Sequence, residues 1–126
     1  MGTEKHGGQV CHDRIKTVEH YIQEHMDEPL RLKVLAMVSG YSITHFQRVF
    51  VASMGVNVTS YIRRARMVRA GRKLRMGAVD ITEVALAAGY ETHAAFGKAF
   101  KQHFGLSPSE FRQLGCYAAT QLLVKV

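Results

Sequence analysis

One unit is written twice in this chain, and that repetition limits the possible folds more than any other feature. Ala36, Gly40 and Tyr41 return 49 residues later as Ala85, Gly89 and Tyr90. Phe46, Phe50, Gly55 and Tyr61 return 50 residues later as Phe96, Phe100, Gly105 and Phe111. The stretches LAMVSGYSITHFQRVFVASMGVNVTSY and VALAAGYETHAAFGKAFKQHFGLSPSEF are therefore two copies that differ by one residue in a turn. Repetition at a fixed period marks a supersecondary unit used more than once. Each copy reads as short helix, glycine-containing turn, longer helix, which is a helix-turn-helix. The small Ala lets the helices approach, the Gly supplies positive φ, and the Tyr fills the corner. Phe residues at every fourth position share one helix face and turn it inward. The opposite face stays exposed, and in a DNA-binding helix-turn-helix that face enters the major groove.

The flanking sequence extends the helical pattern. Residues 1–11 are polar and Gly-rich, and a flexible terminus is expected there. Ile15, Val18, Ile22 and Met26 predict a first helix from Asp13 to about Asp27, stopped ahead of Pro29. Leu32, Leu35, Ala36 and Val38 predict a second, ended by Gly40; Ser42 caps a third, ended by Gly55. Val58, Tyr61, Ile62, Ala65, Val68 and Leu74 run through a long fourth helix over about 58–75, with Gly71 as a soft spot. After a break at 76–79, Asp80 and Glu83 are spaced as a capping box for a fifth helix over 81–88, and Thr92 starts a sixth to about Phe104. Ser107-Pro108-Ser109-Glu110 combines a cap, a proline at the first helical position and a glutamate three after the cap, and the helix it starts carries Phe111 and Leu114. No window alternates as a strand does. The expected fold is all-α with about seven helices. It comprises helix-turn-helix subdomains at 12–57 and 77–115, a linker helix at 58–76, and a tail over 116–126 to which the sequence assigns no role.

The net charge is +7, and its distribution is uneven. No Asp or Glu occurs from Pro29 to Val79, while Arg31, Lys33, Arg48, Arg63, Arg64, Arg66, Arg69, Arg72, Lys73 and Arg75 all fall in that window. A sustained positive surface calls for a polyanionic partner, most simply nucleic acid. No apolar run is long enough for a membrane span, and the start MGTEKHGGQVCHDR lacks the apolar core of a secretory signal. Cys11 and Cys116 form no CxxC and read as free thiols. The pairs His20/His25 and His93/His103 lack the spacing of a metal site. There is no G-x-S-x-G, P-loop or carboxylate pair either. No enzyme activity, metal or cofactor is expected.

The pattern I-x2-V-A-x3-G-Y-x5-F-x3-F-x3-F-G-x-S-P-S-x-F-R, Ile81 to Arg112, resembles the signature of the AraC/XylS transcription regulators. L-x2-L-A-x3-G-Y-S-x2-H-F-x-R-x-F, from Leu32 to Phe50, resembles that family's first unit. The resemblance spans roughly 13–114 and is closest to the short MarA/SoxS/Rob-like members; the wording GYETHAAFGKAF is also similar to the DNA-binding half of AraC–GyrI-like proteins. It implies a bacterial, cytoplasmic, nucleoid-associated regulator that binds double-stranded DNA as a monomer. It also implies activation through contact with RNA polymerase, with no small-molecule effector held in this chain. The alternative is a partner-binding module or antagonist with no activating role of its own.

Helical geometry turns Ile43, Thr44, Gln47, Arg48 and Val51 outward on the first reader helix. Gln47 suits an adenine edge, Arg48 a guanine edge or a phosphate, and Ile43 and Thr44 a thymine methyl. The resemblance places base or backbone readers at Ile43, Gln47 and Arg48. On the second reader His93, Ala94 and Lys98 are the candidate base readers, with Gly97 and Lys101 beside them for close approach and phosphate. This helix is poorer in hydrogen-bonding groups, so it is expected to hold more than to discriminate. Further phosphate contacts are expected at the caps Ser42 and Thr92, at Arg63 and Arg66, and at Ser107 and Ser109 beside the last helix's first turn. The rest of the basic run, Arg69 to Arg75, is expected to be solvated or to face a partner. A rigid fourth helix is expected to hold the two readers about one DNA turn, roughly 34 Å, apart.

Overall fold

The computed structural model describes residues 2–76 and 80–125, with side chains over 10–76, 80–115 and 117–123. Among the described residues there are eight helices and no strand, as the helical periodicity requires. They are α1 (Gly2–Glu24), α2 (Leu32–Ser39), α3 (Ile43–Met54), α4 (Val58–Leu74), α5 (Ile81–Ala87), α6 (His93–Phe104), α7 (Pro108–Gln113) and α8 (Cys116–Lys125). None is long and apolar enough to cross a membrane, again among the described residues. The break expected at 76–79 lies, from 77 to 79, outside them. The chain divides into two compact units, Met1–Ile62 and Arg63–Val126.

In the first unit α1 starts at Gly2, well before the apolar period that predicts its start near Asp13. α1 ends at Glu24, ahead of the expected end near Asp27, and its buried stripe of Ile15, Val18 and Ile22, continued by Met26 in the turn beyond, lies with Leu35 and Ala36 of α2 and Phe46 and Phe50 of α3. Val58 and Ile62, the first turns of α4, are also buried. Fully burying side chains of this size stabilises by about 1.5–3 kcal/mol each. The buried Ser39 hydroxyl donates to Ala36 O at 2.6 Å and accepts from Tyr41 N, so its burial leaves no polar group wanting.

The second unit packs Met67, Ala70 and Leu74 of α4 against α5, α6 and α7 around Phe96, Phe100, Phe104 and Phe111. The tail without an assigned role is α8, and it belongs to this core: Ala119 and Leu123, one helical turn apart, are both buried in it. Gly71 explains how α8 gets so close. A Cβ at Gly71 would stand 2.6 Å from Leu123 Cδ2 and 3.4 Å from the Phe111 ring. The glycine that reads as a weak point in a helix is the seat of another helix.

Candidate nucleic-acid interface

The two reader helices, α3 and α6, stand on matched frames. Each follows a turn glycine in the left-handed region, Gly40 at φ 78 and Gly89 at φ 92. Each is capped by a hydroxyl that accepts from the amide three residues on: Ser42 Oγ from His45 N at 3.2 Å, and Thr92 Oγ1 from Ala95 N at 3.0 Å. In each, two Phe face the core in contact with one another, Phe46 with Phe50 at 5.7 Å and Phe96 with Phe100 at 5.5 Å. The second Phe then meets an aromatic edge-on, Tyr61 at 5.5 Å in the first unit and Phe111 at 5.2 Å in the second. The helix bearing that aromatic is capped alike in both. Asn57 Oδ1 accepts from Ser60 N at 2.8 Å, and Ser107 Oγ accepts from Glu110 N at 3.2 Å. The Asn57 cap is visible in the sequence only through its position fifty residues before Ser107.

Different neighbours hold the two turns. Tyr41 donates its hydroxyl to Cys11 Sγ at 3.1 Å, lies under the Arg14 guanidinium at 4.8 Å, and packs on the His45 ring at 4.4 Å. The hydrogen bond to Cys11, then burial, push the phenol pKa up, so it stays a neutral donor. In the second unit Tyr90 packs edge-on against Phe96 at 5.7 Å, and a Cβ at Gly89 would lie 3.8 Å from Arg66 Nη1. Half-buried Arg66 thus reaches the α5–α6 turn, while Arg63 is exposed.

With the Phe faces inward, the opposite faces are free. On α3, Ile43, Thr44, Gln47, Arg48 and Val51 are all exposed. On α6, His93, Ala94, Lys98 and Lys101 are exposed and Gly97 is half-buried. These five α6 residues line one shallow open concavity with Ser107, Pro108 and Ser109 at the start of α7. The fold thus brings together residues that the sequence groups only by type. Pro108 is an addition, closing the depression beside Gly97, where a Cβ would lie 3.9 Å from its Cδ.

At α7 the expected capping box is formed. Ser107 N donates to Glu110 Oε1 at 2.9 Å, and Ser107 Oγ takes the Glu110 amide. The bond from the Ser107 amide, then the Ser107 side chain, lower the Glu110 pKa, aided by Lys101. Ser107's amide and hydroxyl oxygen serve the cap, and Ser109 carries the exposed hydroxyl. At α5 the outcome differs from the expected box: Asp80 Oδ1 accepts from Thr82 N at 2.9 Å, one residue short of a capping-box bond. Arg75, expected to be solvated or to face a partner, donates to Thr120 Oγ1 of α8 at 2.9 Å. The half-buried His103 ring, edge-on to Phe104 at 4.7 Å, has its pKa lowered by burial and then by Arg64.

Residues 35–114 match the model of a helix-turn-helix domain family. The chain is 33% identical over 106 residues to the probable transcription factor PqrA of Proteus vulgaris, spanning 84% of this chain and 85% of that one. It is 35% identical over 92 residues to the regulatory protein SoxS of Escherichia coli strain K12, spanning 73% and 86%. Among solved structures, the DNA-binding domain of AdpA, a global transcriptional factor crystallised with a target DNA, superposes with a TM-score of 0.69. There the identity is 26%, over 77% of this chain and 87% of that one. An AraC-type regulator from Chromobacterium violaceum shares the fold with a TM-score of 0.76 at 24% identity, over 85% and 93%.

Proposed function

The chain belongs to the AraC-type helix-turn-helix family of transcription regulators, and on that premise we propose that it binds double-stranded DNA sequence-specifically, with α3 and α6 entering successive segments of the major groove. The observation that most supports this reading is the matched pair of frames: both helices turn two Phe inward and leave the same outward positions to a partner. The acid-free, basic stretch from Pro29 to Val79 suits a polyanionic partner.

The roles follow from side-chain chemistry. Gln47 reads an adenine edge and Arg48 a guanine edge, beside Ile43 and Thr44. His93, Ala94 and Lys98 meet bases in the second segment. Ser42, Thr92, Arg63, Arg66, Gly97, Lys101, Ser107 and Ser109 lie along the phosphates. Phosphate contacts fix register and base contacts specify, so α3 discriminates and α6 holds. One chain supplies both readers and acts as a monomer on DNA. It works in the bacterial cytoplasm as an activator that touches RNA polymerase.

Selection of bound sites from random duplexes tests this reading. The expected result is a bipartite motif with centres about ten base pairs apart. A single short block would assign recognition to one unit alone. No enriched sequence, together with affinity indifferent to salt, would overturn the proposal.

A further inference from the structure

We propose that Ile43 and Val51 of the first reader helix each recognise a thymine methyl group, while their counterparts on the second reader, His93 and Lys101, recognise none, so that the two half-sites differ in kind. This inference rests on the DNA-binding reading above and concerns what the first half of the interface selects. Ile43, Gln47 and Val51 are spaced four apart and form one stripe of α3. Ile43 is 42% exposed and Val51 46% exposed, although the core-facing side of the same helix is closed by Phe46 and Phe50. The stripe therefore reads apolar, amide, apolar. Its counterparts fifty residues on are His93, Gly97 and Lys101, which offer an imidazole, bare backbone and a cation.

The major-groove edge of a base pair presents donors, acceptors and one apolar group, the C5 methyl of thymine. An apolar side chain standing beside a base-reading amide is complementary to that group and to no other there. Ile43 and Val51 lie eight residues apart, about 12 Å along the helix axis. That length covers three to four base steps of about 3.4 Å. The first half-site then carries two thymine methyls about three or four base pairs apart, with the Gln47 contact between them. DNA is the occupant because the stripe is continuous with Gln47 and Arg48 and sits in the acid-free stretch. An apolar protein surface laid on it would have to desolvate both polar groups without pairing them.

The test uses a duplex obtained by random selection with this protein, with deoxyuridine replacing thymine one position at a time. Uracil keeps every hydrogen-bonding group and lacks only the methyl. With the unaltered protein, two first-half positions are expected to lose about fourfold in affinity each, the worth of one buried methyl. Ile43→Ala is expected to make one of them insensitive to the replacement, and Val51→Ala the other. His93→Ala and Lys101→Ala are expected to leave the response to replacements in the second half unchanged. The inference is overturned if no first-half replacement matters, if a second-half response depends on His93 or Lys101, or if either first-reader variant keeps the full sensitivity. Retained bipartite, salt-sensitive binding in those cases leaves the DNA-binding reading intact. Failure to select any duplex overturns both.

Discussion

Phe100 and Phe111 meet edge to face, ring centroids 5.2 Å apart at 84°, and this contact ties the reader helix α6 to α7. Phe104 closes the cluster, 4.6 Å from Phe100 and 5.5 Å from Phe111. Edge-to-face aromatic pairs add roughly 0.5–1.5 kcal/mol beyond their buried area. Phe100→Ala is expected to cost about 3–5 kcal/mol. Denaturant unfolding measures it. A loss under about 1 kcal/mol would show that the reader helix does not depend on this cluster.

The seat of α8 can be tested without relying on a single variant. Gly71→Ala gains helix propensity, up to about 1 kcal/mol, and pushes a methyl against Leu123 Cδ2. Leu123→Ala removes the obstacle. In a double-mutant cycle Gly71→Ala is expected to be more favourable in the Leu123→Ala background, by about 0.5–3 kcal/mol. Strict additivity would mean that α8 does not rest on Gly71.

The caps predict matched losses in the two units. Ser42→Ala and Thr92→Ala are each expected to cost about 1 kcal/mol, because each strands the amide it now satisfies. Asn57→Ala at α4 belongs to the same class, and replacement by Gly costs only a few tenths. Thermal unfolding of the six variants, three Ala and three Gly, reads this directly. Negligible losses for all six variants would show that the hydroxyl and amide oxygens contribute nothing.

Two groups give the stability a pH signature. His103 has its pKa lowered by burial and then by Arg64, so the fold favours its neutral form. Its contribution is full above the ordinary histidine value, about 6.5, and is lost as pH falls through the lower folded value. The Glu110 pKa is lowered by its bonds from Ser107, so its contribution is full above the ordinary carboxylate range and is lost in acid. His103→Gln should flatten the melting temperature between about pH 7 and 5. Glu110→Gln keeps an acceptor at the capping position and should flatten only the acid limb. Unchanged profiles in both variants would contradict these assignments.

On DNA the readers should separate by the kind of loss. Gln47→Ala and Arg48→Ala are each expected to cost about 1–3 kcal/mol on the selected site and to relax base choice. Lys101→Ala is expected to weaken all sequences alike and to lower the salt slope by about one. Affinity measured on matched and mismatched duplexes over a salt series distinguishes the two patterns. Equal weakening across sequences for all three would erase the division of labour.

The sequence makes the helices legible where local rules agree with packing. The Phe spacing, the hydroxyl caps at Ser42, Thr92 and Ser107, and the glycine turns each rely on neighbours a few residues away. Features that rely on distant neighbours are not legible in the same way. CYAATQLLVKV shows its Ala119–Leu123 stripe only once a core exists to receive it. Gly71 is read correctly as a poor helix former and missed as a seat, because Leu123 is far along the chain. Arg75 looks solvated for the same reason, since Thr120 is 45 residues away. Cys11 stands four residues before Ile15 on the α1 stripe, a cue that the α1 helix begins earlier than Asp13.

The two cores are covered from opposite directions along the chain. Copying a helix-turn-helix copies its aromatic face but not what shields it. A pair of helices this small cannot bury three or four rings alone. The first copy is shielded by chain that precedes it, the long α1 with Ile15, Val18 and Ile22 and the following Met26; the second has a slimmer shield from chain that follows, α8 with Ala119 and Leu123. The frames kept their spelling because each position answers to the same turn and the same pair of Phe. The shields, answering only to a need for apolar bulk, were free to come from unrelated sequence. A duplicated motif of this kind is best recognised by its turns and inward rings, and least by whatever happens to lie over them.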